Sequence, residues 1–198
     1  MNKLRLITGV FSFRALPVAA PQKATSQSMD ESRPPETYRI PDAARIGHVH
    51  LKVSDLEKAL KFYSGLLGFQ VRQRYGREAV FLAAGNYHHH IGLNIWFSKG
   101  GLSAPKSSPG LFHTAICYPN RRELARIYHR LKEHKYPLTG AADHGVSEAL
   151  YLDDPDGNGV ELYWDTPFES WPKTDNGSLE MYTRPLDLEG LLAELDRV

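Results

Sequence analysis

Apolar and polar positions alternate along this chain in short runs, and the runs come twice in the same order. Ile46–Val53 alternates with a period of two, as does Leu111–Tyr118, the pattern of a half-buried strand. Each run carries a histidine near its start, His48 in the first and His113 in the second. A helix signal follows each. Ser54 with Glu57 reads as a capping box, with Leu56, Leu60, Tyr63 and Leu67 as the apolar face behind it. Asn120 with Glu123 repeats the box, and Leu124, Ile127, Tyr128 and Leu131 repeat the face. Gly68 ends the first helix as a glycine in the left-handed position would.

Short strands are then predicted at Phe69–Gln73, Ala79–Ala83 and His90–Phe97, and again at Pro137–Thr139, Glu148–Leu152 and Gly159–Trp164. Asp154–Pro155–Asp156–Gly157–Asn158 is a turn. Lys99–Gly110, rich in Gly, Ser and Pro, joins the copies. The chain therefore reads as two βαβββ modules, an α+β arrangement, with modules at about 45–98 and 110–166 inside a domain of residues 40–172. One such module has a sheet face that it cannot bury alone. Residues 1–39 read as a disordered leader and linker, in which basic, acid-poor residues 1–28 leave organelle targeting open. Residues 173–198 form an extension with a short helix capped by Asp187, whose leucines dock on the domain or on a partner.

The composition narrows the function. The chain has 198 residues, with 24 basic and 23 acidic side chains giving a net charge of +1, so neither a nucleic-acid footprint nor a membrane-binding surface is indicated. Its one cysteine, Cys117, allows no intrachain disulfide and favours a cytoplasmic setting, and its apolar run suggests a small core thiol. Nine histidines are present, five of them in the patches His48/His50 and His88–His90, which suggests metal or acid–base chemistry.

The duplication says where that chemistry sits. His48 and His113 hold equivalent places, and copies paired about a pseudo-two-fold axis would bring equivalent positions together. Glu161 lies in an apolar strand, where a carboxylate is costly to bury unless a cation partners it. A lone strand histidine is more often a core or surface residue than a ligand, and it is the equivalence that raises the pair above that. Two imidazoles and a carboxylate form a facial set suited to Fe(II), with Mn(II) possible and Zn(II) open.

The strings Gly47–His48, Asp55–Leu56, Phe62–Tyr63 and Leu67–Gly68–Phe69, with Asp143–Glu161 in the second copy, resemble the vicinal oxygen chelate superfamily, and its catechol-2,3-dioxygenase-like branch in particular. The resemblance runs from about Ile46 to Trp171. It implies a half-open mixed β-barrel of the glyoxalase and extradiol dioxygenase type, with metal ligands at His48, His113 and Glu161. It places the acid–base histidine in His88–His90, with His89 chosen because Ile91–Gly92–Leu93 follows it. Tyr151, ten residues before Glu161, matches the family's substrate-side tyrosine, and His144 a further histidine. His50, His90, Trp96 and Tyr163 are expected on the substrate side. The activity implied is Fe(II)-dependent ring cleavage of a catechol-type diol by O₂. Better-known extradiol enzymes have four modules where this chain has two, and a homodimer would supply the missing walls.

Two other functions fit the same superfamily. A glyoxalase I-like lyase using Ni(II) or Zn(II) takes a second carboxylate from the last strand of the first module, and Tyr87–Phe97 contains none. A bleomycin-resistance-like binding protein would use an aromatic cleft of Trp96, Phe97, Phe112, Tyr163 and Trp164, and has no need of all three ligands.

Overall fold

The computed structural model describes residues 38–197. Residues 38–44 belong to a first unit and Arg45–Val198 to a second, which holds every element named below. The expected leader, apart from its last two residues, lies outside the described residues.

Both modules form, with one topology. In the first, β1 (Val49–Lys52), α1 (Leu56–Leu60), β2 (Gln70–Tyr75), β3 (Ala79–Ala83) and β4 (Ile91–Asn94) give a sheet of order β1-β4-β3-β2. In the second, β5 (His113–Cys117), α2 (Arg121–Glu133), β6 (Gly140–Asp143), β7 (Ser147–Asp153) and β8 (Gly159–Asp165) give the order β5-β8-β7-β6, extended at its far edge by β9 (Arg184–Pro185). Each module pairs its first and last strands in parallel and its remaining strands antiparallel. The fold is α+β with two mixed sheets, and no closed barrel is found among the described residues.

Local chemistry explains most boundaries and moves a few. Asn120 caps α2, its side chain accepting from Glu123 N at 2.9 Å. The cap of α1 is Asp55 rather than Ser54: its carboxylate accepts from Glu57 N and Lys58 N at 2.8 and 3.0 Å, while Ser54 N is drawn across to Asp156 Oδ2. The first helix turns π-helical over Lys61–Leu66 before Gly68, at φ 87°, ends it. Strand β6 begins after the expected Pro137–Thr139, because Pro137 has no N–H to give a ladder and the pairing with β7 starts at Gly140 opposite Tyr151.

One continuous core joins the modules, built from the buried faces of α1, the π-helical turn, α2 and both sheets. Phe62 packs on Tyr136, and Arg130 donates to the carbonyls of Leu66 and Gly65. Tyr63, fully buried, donates to Asp154 Oδ2 at 3.0 Å. Asp154 in turn accepts from Asp156 N, Asn158 N and Asn158 Nδ2, so the turn before β8 is tied to the first module's helix. The turn signal gave Asp154 its place in a turn but not its burial.

The C-terminal extension docks on the domain. Asp187 caps α3 (Leu188–Leu192) as expected, Leu191 is fully buried, and Arg121 on α2 bonds to Gly190 O and to Glu194. Cys117 is exposed, not a core thiol. It ends β5, at the edge of the sheet, and its parity puts it on the open face with His113. No helix among the described residues is long and apolar enough to cross a membrane.

Candidate functional site

Strand pairing determines what meets on the open face of the second sheet. Ala115 of β5 stands beside Glu161 of β8, and Glu161 beside Tyr151 of β7. His113 begins the same face of β5 two residues earlier. Its Nε2 lies 3.1 Å from Glu161 Oε2. The Tyr151 hydroxyl donates to the other carboxylate oxygen, Oε1, at 2.9 Å. His144, in the turn between β6 and β7, places Nε2 2.8 Å from the same hydroxyl. Only 12% of the Glu161 side chain is exposed, so these partners offset the cost of burying it. Burial, and then the bond to Glu161, push the Tyr151 hydroxyl pKa well above the ordinary tyrosine value. The Tyr163 pKa, two places along β8, rises to about 12 through burial and neighbouring Cys117.

The open face of the first sheet is made of rings. His48 packs against His89, with centroids 4.4 Å apart, and His89 against Phe81 at 5.0 Å. His50 stands between Phe81 and Trp96, at 5.7 and 5.6 Å. His88 and His89 share a hydrogen bond between their Nδ1 atoms. His90 turns aside, stacking on Tyr87 and accepting from Ala84 N. Partial burial lowers the pKa of His89, and nearby His48 and His88 lower it further. The pKa of His50 falls through burial and then His48.

Of the expected ligands, the structure brings His113 and Glu161 together and sets His48 among the first sheet's imidazoles. Among the described residues no group of three His, Cys, Asp or Glu is placed to hold a metal. The His113–Glu161 pair itself suits one. His113 Nδ1 is buried without a partner, so Nε2 is the ring nitrogen that faces outward, toward the carboxylate. Imidazole nitrogen with carboxylate oxygen is a donor set for Fe(II), Mn(II) or Zn(II).

A cavity of about 570 Å³ opens against His113 and Tyr151, with Pro105, Leu111 and Phe112 of the inter-module segment on one side and Thr139 on the other. That is ample for a small aromatic ligand. Of the aromatic residues that a binding cleft would use, Trp96 and Tyr163 lie on the open faces, Phe97 and Phe112 are exposed, and Trp164 packs against the core instead.

The glyoxalase/bleomycin resistance protein/dioxygenase superfamily model matches residues 45–162, which takes in both modules and both imidazole clusters. The chain belongs to this superfamily. It is 40% identical over 156 residues to catechol-2,3-dioxygenase of Bacillus subtilis (strain 168), covering 78% of this chain and 53% of that protein. The chain thus spans about half the length of that relative. It is 35% identical over 146 residues to biphenyl-2,3-diol 1,2-dioxygenase 3 of Rhodococcus globerulus, covering 70% of this chain and 73% of the relative. Among solved structures, a glyoxalase/dioxygenase from Nostoc punctiforme superposes with a TM-score of 0.52 at 18% identity, over 66% of this chain and 98% of that one. At such identity the likeness speaks to the superfamily fold alone.

Two features of the site were not visible in the sequence. Tyr182, from the extension, accepts from His144 through its main-chain carbonyl, and a main-chain group leaves no mark in a sequence. The other is Thr183 Oγ1, 3.2 Å from the same ring nitrogen.

Proposed function

We propose that this superfamily member is an Fe(II)-dependent extradiol dioxygenase that opens a catechol-type ring with O₂. The observation that carries the reading is the connected set His113–Glu161–Tyr151–His144, of which His113 and Tyr151 line a cavity of aromatic size. His113 and Glu161 would hold the metal, with His48, their counterpart from the first module, as the remaining protein ligand. Bound there, Fe(II) supplies chelation of the two diol oxygens and activation of O₂.

The chain's own residues account for the rest. With its pKa lowered by burial and by its imidazole neighbours, His89 is neutral at pH 7 and can take a proton from a diol hydroxyl at Nε2, then return it as an acid. Tyr151 offers a hydroxyl held in place from two sides, suited to donating to an oxygen of the reacting ring. Phe81 and Trp96 give apolar faces on which an aromatic substrate can lie. Both atoms of O₂ enter the product, so the step needs no external reductant.

Gly92 favours this chemistry over a lyase. It pairs with His50 as Glu161 pairs with Ala115, so the first module has a glycine where a second carboxylate ligand would stand. The test is O₂ consumption by the Fe(II)-reconstituted protein with a panel of catechols. One O₂ per diol, with a ring-opened yellow product, is expected. No uptake, together with turnover of methylglyoxal and a thiol on Ni(II) or Zn(II), would replace the dioxygenase with a lyase.

A further inference from the structure

The C-terminal extension returns to the site and touches His144 through Tyr182 and Thr183. We infer that the main-chain carbonyl of Tyr182 keeps a proton on His144 Nδ1, with Nε2 aimed at Tyr151, and that the Tyr182 ring keeps that carbonyl in place. The inference rests on the reading of Tyr151 and Glu161 as site residues given above, and it makes the extension a positioning part of the site.

A carbonyl oxygen can only accept. The 2.9 Å contact between His144 Nδ1 and Tyr182 O therefore calls for the proton on Nδ1, and Thr183 Oγ1, 3.2 Å from the same nitrogen, can then accept from it too. The alternative form would set a bare Nδ1 lone pair against the carbonyl. Tyr182 N donates back to His144 O at 3.3 Å, so two hydrogen bonds join the same two residues. Nε2 is left as the nitrogen that addresses the Tyr151 hydroxyl.

That hydroxyl has one proton and two partners, His144 Nε2 and Glu161 Oε1. When the proton points to Glu161, Nε2 must donate; when Nε2 is bare, it accepts the tyrosine proton. In both cases Nδ1 is committed to the extension, so His144 meets the Tyr151 hydroxyl through Nε2.

The carbonyl is held from several directions. The Tyr182 ring covers Gly145, where an added Cβ would lie 2.7 Å from Tyr182 Cε1 and 2.7 Å from Pro172 Cγ. Gly145 also sits at φ 77°, so this position needs glycine for its backbone as well as for contact. The Arg184 guanidinium lies 4.0 Å over the Tyr182 ring, and Arg184 pairs with Asp143 where β9 joins β6. Thr166, the residue after β8, donates to Gly145 O through its hydroxyl and to Val146 O through its N–H.

Long-range proton–nitrogen NMR of the ¹⁵N-histidine-labelled full chain reads the tautomer directly, without turnover. Wild type and Tyr182→Phe should both show a protonated Nδ1 at His144, since the ring and not the phenol makes the contact. Tyr182→Ala should show Nδ1 only partly protonated, and its kcat for diol-dependent O₂ uptake should fall roughly tenfold with KM changed less than about twofold. Should Tyr182→Ala fail to fold, Arg184→Ala loosens the ring from outside and is read the same way. An unprotonated Nδ1 in wild type overturns the inference, as does a variant in which only one of tautomer and kcat changes. Absence of diol turnover in wild type would sink the proposed function while the spectrum still decides the tautomer.

Discussion

At one level of each sheet three residues stand side by side: His50, Gly92 and Phe81 in the first module, and Ala115, Glu161 and Tyr151 in the second. The topology is the same and the places are equivalent, yet the chemistry is opposite. In the second row a small alanine leaves room beside a carboxylate, and the tyrosine hydroxyl donates to it. In the first row the imidazole is the large member. It lies so close over Gly92 that an added Cβ would stand 2.8 Å from His50 Cδ2, and Phe81 has no hydroxyl to give. A duplicated fold can thus place a buried carboxylate in one copy and a cluster of imidazoles and aromatic rings at the equivalent level of the other. His48 and His113 are the members the copies share.

The comparison breaks most sharply at Glu161. Glu161→Gln keeps the shape of the side chain and removes its charge, making the second row as uncharged as the first. The bound-metal content per chain should fall roughly tenfold or more, and diol-dependent O₂ uptake should fall with it. Elemental analysis after Fe(II) loading and desalting gives the answer. Occupancy equal to wild type would show that the second row is not the metal centre.

The first row can be tested by packing alone. Gly92→Ala ordinarily favours a strand, because alanine loses less backbone entropy than glycine. Here the new methyl meets the His50 ring, and the net effect should be a loss of about 1–3 kcal/mol. Adding His50→Ala, which installs the second module's small residue at the equivalent place, should recover most of that loss. A thermal or denaturant double-mutant cycle measures the coupling. Additive single effects would mean that His50 does not fill the space over Gly92.

How far the sequence reached is clearest strand by strand. Ala79–Ala83 was predicted with its observed bounds, because apolar β-formers fill it and turn residues flank it. Strand β6 was placed too early. Gly140, Ala141 and Ala142 have little intrinsic preference for a strand, and pairing with β7 imposes one on them. Of the site, His113 was legible through the repeat and Glu161 through the apolar strand that carries it, while Tyr151 and His144 came only from the resemblance to the superfamily. The setting of His48 beside His89 was not legible, since His88–His90 lie in the irregular stretch before β4, where no strand period says which ring turns toward β1. The capping of α1 by Asp55 was missed for a related reason: Ser54 N is taken by Asp156, a hundred residues away in the other module.

That cap supplies the smallest test of the contrast between modules. Equivalent helices begin on Asp55 in the first module and Asn120 in the second, and only the first can titrate. The backbone N–H of Lys58, and then that of Glu57, hold the Asp55 carboxyl pKa below its ordinary value of 3.8. A carboxyl whose pKa is lower folded than unfolded stabilises the fold above the unfolded value, and this contribution fades as pH falls through the folded one. Asp55→Asn gives the first helix the second helix's cap. The variant should unfold at slightly lower temperature at pH 7, where it loses the favourable charge at a helix N-terminus. The difference should shrink as pH falls below 3.8, because protonated Asp55 has lost that charge as well. Melting curves of the two proteins between pH 7 and 2.5 make the comparison, and a gap that widens toward acid would contradict the role given to Asp55.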